Sequence, residues 1–209
     1  MALHQRPGPR TDRDLTNGSA PVPDPGTSAA AGQAAAGSAA LARTAATARL
    51  LTALTFLWAF GDKTFGWGYA TPSGKGWIDG GSPTRGFLSG VSAGPLEEVC
   101  HSWAGAAWAD WLFMLGLLGI GVALASGVAL RATAVAGTLM MALMWAAEWP
   151  PARHLSDGAP SMSTNPLVDY HVLYAALLTV LAVACAGRTW GLGRWWERQP
   201  VVRRNRWLR

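Results

Sequence analysis

The chain has 209 residues, half of them hydrophobic and 14% charged, which is too little charge for an ordinary soluble domain at about 25%. Its net charge of +5 does not mark a nucleic-acid binder, because the basic residues gather at the two ends beside apolar runs. No solenoid repeat is visible, and 12 tryptophans suit the aromatic belts of a membrane interface.

Residues 1–38 are Pro, Gly, Ser, Thr and Ala with scattered charge, a composition that buries too little surface to offset its ordering, so a disordered tail is predicted. A signal peptide is not expected. No apolar core precedes Leu41, and the first apolar run ends in Asp62-Lys63 rather than in a small-residue cleavage site.

Four apolar stretches follow, over about 41–61, 111–130, 132–149 and 167–186. Each approaches the ~20 residues that cross ~30 Å of hydrocarbon. A soluble bundle would carry a polar face on each, yet Leu112 to Ala125 has no polar residue. The first stretch is the most diluted, by Arg43, Thr44, Thr47, Arg49 and Thr52. The fold predicted is an all-α membrane protein: a four-transmembrane-helix bundle over 39–188, with a turn near Arg131 joining the second and third spans. The loop over 62–107 is rich in Gly and aromatics and then places Phe87, Leu88, Val91, Val99, Cys100 and Trp103 at helical spacing, so short interfacial helices are expected there.

Lys and Arg counts set the orientation. Arg6, Arg10, Arg13, Arg43 and Arg49 precede or open the first span, and Arg188, Arg194, Arg198, Arg203, Arg204, Arg206 and Arg209 follow the last. The other side holds Lys63, Lys75, Arg85 and Arg153, mixed with acids. Both termini are therefore expected inside the cell membrane, a parity that four spans satisfy. The segment 189–209, with Trp190, Trp195, Trp196 and Trp207 among arginines, reads either as an interfacial anchor on anionic lipid or as a plain stop-transfer tail. Gly191-Leu-Gly193 is no dinucleotide fingerprint, since no strand precedes it and the third glycine is missing.

Ionisable residues at span ends are functional candidates, and here they fall in one outer layer: Asp62, Lys63, Asp110, Glu148, Asp169 and His171. Asp110 and Asp169 open helices, where a carboxylate also serves as a cap. Asp62 and Glu148 close helices, where the dipole opposes their charge, so each needs a partner or a proton. Around them Met140, Met144 and Glu148 share a face, as do Met141, Trp145 and Trp149, then His171 and Tyr174, then Thr55, Trp58 and Asp62. Such stripes are ordinary packing or lipid contact; with polar tips they also suit a quinone. On that reading Glu148, Asp62, Lys63 and His171 bind the head or move its protons. Trp58, Trp145 and Tyr174 form the walls, with Asp110 and Asp169 in the same layer.

Cys100 and Cys185 are expected on opposite sides of the bilayer, too far apart for a disulfide. His101 beside Cys100 would favour a thiolate; the plainer alternative is a small apolar residue on an amphipathic face. No metal-ligand spacing appears, and no metal is expected. Small residues at Gly119, Ala123 and Gly127, and at Gly121 and Ala125, fit close helix packing within the chain or between copies in a homo-oligomer.

The strings Phe56-Leu-Trp-Ala-Phe-Gly-Asp62-Lys63-Thr-Phe-Gly-Trp-Gly-Tyr-Ala-Thr-Pro72, Asp79-Gly-Gly-Ser-Pro-Thr-Arg-Gly-Phe-Leu88, Asp110-Trp-Leu-Phe-Met-Leu-Gly-Leu-Leu-Gly-Ile-Gly121 and Asn165-Pro-Leu-Val-Asp-Tyr-His171 resemble the DoxX family of bacterial membrane proteins. The resemblance covers about 50–209. It implies a four-helix unit in the bacterial inner membrane, related to DoxD-like proteins. Some members are similar to the membrane subunit of thiosulfate:quinone oxidoreductase; others associate with sulfurtransferase and superoxide dismutase. It carries no residue set, so the candidate residues above stand on charge layering alone.

Three functions follow as expectations. The favoured one is a membrane subunit of a redox complex that passes electrons from a sulfur donor to quinone, with a sulfurtransferase-like or second Dox-type partner. The second is a non-catalytic anchor or assembly subunit for partner redox proteins. The third is a small-molecule transporter, which would need a polar route to the inner side that the spans lack.

Overall fold

A computed structural model describes residues 25–208 of the chain. The chain divides into two units, 1–38 and 39–209; everything from the first candidate site residue onward lies in the second. Among the described residues the structure is all-helical, with a lone bridge between His154 and Pro160 in place of any strand.

Helix α1 runs Pro25–Phe65. The disordered tail expected over 1–38 lies outside the described residues as far as residue 24, and from Pro25 the chain is helical instead. Alanine is the best helix former, and proline is tolerated where a helix begins, which together account for the difference. The threonines that dilute α1 do not expose free hydroxyls. Thr44, Thr47, Thr52, Thr55 and Thr64 each donate to the carbonyl four residues back, at 2.7–3.1 Å.

Helices α2 (Arg85–Ser89) and α3 (Glu97–Trp103) form in the long loop. Then come α4 (Ala107–Ser126) and α5 (Leu130–Glu148), the two helices long and apolar enough to cross a membrane. They start and stop earlier than the expected spans 111–130 and 132–149. Gly127 takes a left-handed conformation (φ 74°) that Ala129 repeats (φ 49°), so the turn is 127–129 and Arg131 sits in the first turn of α5. Helix α6 covers Tyr170–Val183, 14 residues against the expected 167–186. Asp169 caps it by accepting from the His171 and Val172 amides, and the left-handed Cys185 (φ 50°) follows its end. At ~1.5 Å per residue α6 is short for a full crossing.

Phe56 of α1, Met114, Leu117, Ile120 and Leu124 of α4, Met141 of α5, and Leu178 and Leu181 of α6 make one core. Glycines let the helices approach. A Cβ on Gly121 would stand 2.7 Å from the Leu57 side chain, and one on Gly137 2.4 Å from that of Leu178. Gly121 thus serves packing within the chain, whereas Gly119 faces open space. Leu51 and Leu54 of α1, Leu112 and Leu115 of α4, Leu139 and Leu143 of α5, and Leu173 and Val180 of α6 remain exposed.

One end of the bundle is closed by two loops that pack together. Val91 and Cys100 are buried with Ala147 of α5, and the Ser156 amide donates to the Ser92 carbonyl at 2.7 Å. The opposite end is organised by Arg49, fully buried on α1. Its guanidinium donates to the Leu124 carbonyl, to that of Ala125 at 2.8 Å and to that of Trp190 at 2.8 Å. The carboxy-terminal segment is folded against this end. Helices α7 (Gly193–Trp196) and α8 (Pro200–Arg204) form, Val202 is fully buried, and Trp196 Nε1 donates to the Leu208 carbonyl at 2.6 Å. Trp190, Trp195 and Trp207 stay exposed among the arginines.

Candidate functional site

The last turn of α1, the first turns of α4 and α6 and the last turn of α5 lie at the same end of the bundle. The expected ionisable residues do not form one pocket there; they divide into three groups.

Asp62 is buried at the end of α1, and its carboxylate accepts the amides of Tyr69 at 3.3 Å and Thr71 at 2.8 Å. A carboxylate at a helix C-terminus is thereby satisfied by the loop that follows. Lys63 points elsewhere, with its ammonium 5.9 Å from the centre of the Phe113 ring. Trp58, expected as a wall of the same pocket, packs instead on the loop aromatics Trp67 and Tyr69, both at 5.2 Å between ring centres. This group fastens the start of the outer loop.

Asp110 is the second group. It lies in the first turn of α4 but caps none of that helix's amides, since the position before the helix is Ala106. Its Oδ1 accepts the Ser82 hydroxyl at 2.8 Å, the Thr84 amide at 3.0 Å and the Thr84 hydroxyl at 2.6 Å. Three donors on one buried oxygen, none of them a ligand, make Asp110 a fastener of the middle of the loop.

Glu148, Asp169 and His171 are brought together. Each offers a ligand atom within 4.8 Å of the other two. Asp169 Oδ2 stands 2.7 Å from His171 Nδ1, while its Oδ1 holds the first amides of α6. His171 is 1% exposed, and its Nε2 is buried without a partner. The Tyr170 hydroxyl donates to Glu148 Oε1 at 2.8 Å. Sequence spacing hides this set, because Glu148 lies on α5 and the other two belong to the start of α6.

A groove of about 400 Å³ runs along α1 and α6, with Tyr170 in its lining. Leu51, Thr52 and Thr55 line one side; Tyr170, Leu173, Tyr174 and Leu177 line the other. Tyr174 lines this groove, and its ring meets the edge of Phe56 at 6.3 Å. Tyr170, which sequence reasoning passed over, belongs both to the groove and, through Glu148, to the polar cluster. Only its place between Asp169 and His171 signalled it. Trp145 does not line the groove; its ring meets Trp149 at 5.9 Å, and its buried Nε1 has no partner.

Cys100 is buried on α3, and that burial pushes its thiol above the ordinary value. His101 does not counter this, because its Nε2 is engaged with the Val91 carbonyl at 2.7 Å. The thiolate reading is not supported, and the apolar-residue reading fits. Comparison of the chain with models of protein families, with curated proteins and with solved structures finds no match.

Proposed function

We propose that the chain is a DoxX-like, four-span subunit of a bacterial inner-membrane redox complex, with both termini inside, and that it supplies the complex's quinone site. The exposed leucines and valines on all four long helices support a lipid-facing belt, since a water-soluble surface rarely carries so many. The back-bonded threonines of α1 and the inward-turned Arg49 make that helix compatible with hydrocarbon despite its polar residues. Leu167 and Val168 add exposed apolar length before the short α6.

The observation that carries the quinone reading is Tyr170, which joins an apolar groove to the Glu148–Asp169–His171 cluster. An isoprenoid tail fits along Leu51, Leu173 and Leu177. The ring would lie against Tyr174, with one oxygen at the Tyr170 hydroxyl, a proton donor that is itself bonded to Glu148. Electrons come from a partner subunit, sulfurtransferase-like or of a second Dox type, because none of these side chains is itself an electron carrier.

The test is quinone reduction by the purified complex in quinone-containing membranes supplied with thiosulfate. Tyr170→Phe should lower the rate about tenfold, the size of a lost general acid–base or positioning contact. A rate equal to that of the unaltered chain would overturn the reading.

An anchor role is the second reading, favoured by Trp67, Tyr69, Ile78 and Trp103, apolar side chains left exposed in the long loop that a partner would cover. It predicts that Glu148→Gln and His171→Ala leave the complex active, while deletion of the loop disperses it.

A further inference from the structure

We infer that the folded carboxy-terminal segment, residues 186–208, is a docking surface for the headgroups of anionic phospholipid. Its backbone is seated on the ends of the long helices. The Leu192 amide donates to the Ser126 carbonyl at 2.7 Å, and Arg49 of α1 reaches the Trp190 carbonyl at 2.8 Å. A Cβ on Gly191 would stand 3.0 Å from the Ser126 carbonyl oxygen, so no side chain separates the segment from the end of α4 there. Val202 is fully buried, and Trp196 Nε1 holds the Leu208 carbonyl at 2.6 Å. The segment is a built surface and not a loose tail.

Its positive charge has no counterpart within the chain. Glu197 is the only acid of the segment, and both its carboxylate oxygens are taken by Arg188, at 2.8 and 3.1 Å. Arg194, Arg198, Arg203 and Arg204 are exposed, and among the described residues none of them pairs with a carboxylate. From residue 39 onward every other Asp and Glu lies at the opposite end, in the two loops or the helix turns beside them. A guanidinium presents paired N–H groups that match phosphate oxygens, and each basic residue at an anionic bilayer strengthens binding severalfold.

Apolar side chains interleave with these charges and choose the partner. Trp190, Leu192, Trp195, Val201 and Trp207 are each more than half exposed. At the level of lipid headgroups an indole reaches the acyl boundary while its N–H stays among polar groups. A nucleic acid would offer the same phosphates but no apolar phase to receive Leu192 and Val201. A plain stop-transfer tail, in turn, needs the arginines but no fixed fold beneath them. The surface meets lipid only where α4 and α6 end at a bilayer, so the inference rests on the membrane-spanning part of the proposed function and is independent of the quinone site.

The test titrates the full chain, purified in detergent, with phosphatidylglycerol and with phosphatidylcholine, and counts bound lipid by native mass spectrometry. Phosphatidylglycerol should bind at least about tenfold more tightly at low ionic strength, an advantage that shrinks in high salt. Arg194→Gln, Arg198→Gln, Arg203→Gln and Arg204→Gln combined should remove the advantage and leave the helical circular dichroism unchanged. The same four positions changed to Lys should keep most of it, and Lys75→Gln with Arg153→Gln, exposed at the opposite end, should not alter it. Equal affinity for the two lipids in the unaltered chain, or a preference that the combined Gln variant retains, would overturn the surface. Release of the chain from cell membranes by a carbonate wash without detergent would overturn the spanning reading and this surface with it. Detergent-dependent extraction with no lipid preference would overturn the surface alone.

Discussion

Asp110 draws three hydrogen bonds onto one oxygen at the mouth of α4, and the two hydroxyls and the amide that donate them belong to Ser82 and Thr84, more than two dozen residues earlier. Removing the carboxylate strands the buried Thr84 hydroxyl and amide together. Asp110→Ala should therefore cost about 3 kcal/mol, read as a lowered Tm in detergent, while Asp110→Asn keeps part of the network. Cys100 allows a second check at this scale. Its thiol is raised by burial, so at pH 8 its thiolate is scarcer than that of a free cysteine, and maleimide labelling should be slow and accelerate as pH rises. Rapid labelling at pH 8 would contradict that environment. That Glu148, Asp169 and His171 fall at helix ends was legible from the sequence. Their partners were not, because Asp62 and Asp110 are satisfied by loop amides and hydroxyls that no periodicity announces.

At the scale of elements, α4 and α5 were legible because 111–126 and 132–147 hold nothing but apolar or small residues, and the boundary errors trace to particular residues. Gly127 and Ala129 end α4 earlier than hydropathy indicates, and Asp169 starts α6 later. The junction between the end of α4 and the carboxy-terminal segment was hidden, since it depends on backbone approach. A Cβ on Gly187 would stand 2.0 Å from the Gly127 carbonyl oxygen and 2.8 Å from its carbon. Gly187→Ala should thus destabilise by about 1–3 kcal/mol and loosen the carboxy-terminal segment, measured as faster protease cleavage within α7 and α8. Arg49 counts in the sequence as one of the arginines near the first span, yet it joins the end of α4 to the carboxy-terminal segment by donating to the Leu124, Ala125 and Trp190 carbonyls. Arg49→Met removes that buried donor from all three carbonyls and should cost about 3 kcal/mol, with Arg49→Lys intermediate, both read by thermal unfolding. An unchanged Tm for Arg49→Met would sink that assignment.

For the whole molecule, the account depends on helices of alternating direction that put loops 66–106 and 149–169 at one end and the carboxy-terminal segment at the other. Arg49 joined to the end of α4, and Ser156 joined to Ser92, tie these ends internally. The proposed quinone site at Tyr170 and Glu148 requires the loop-bearing end to face outward. The direct measurement is labelling by a membrane-impermeant maleimide in intact cells, with Cys100→Ala and Cys185→Ala as background. Ser73→Cys and Ser163→Cys, both exposed in the two loops, should react from outside, and Val201→Cys, exposed on α8, only after the membrane is opened. Reaction of Ser73→Cys and Val201→Cys from the same side would contradict the account.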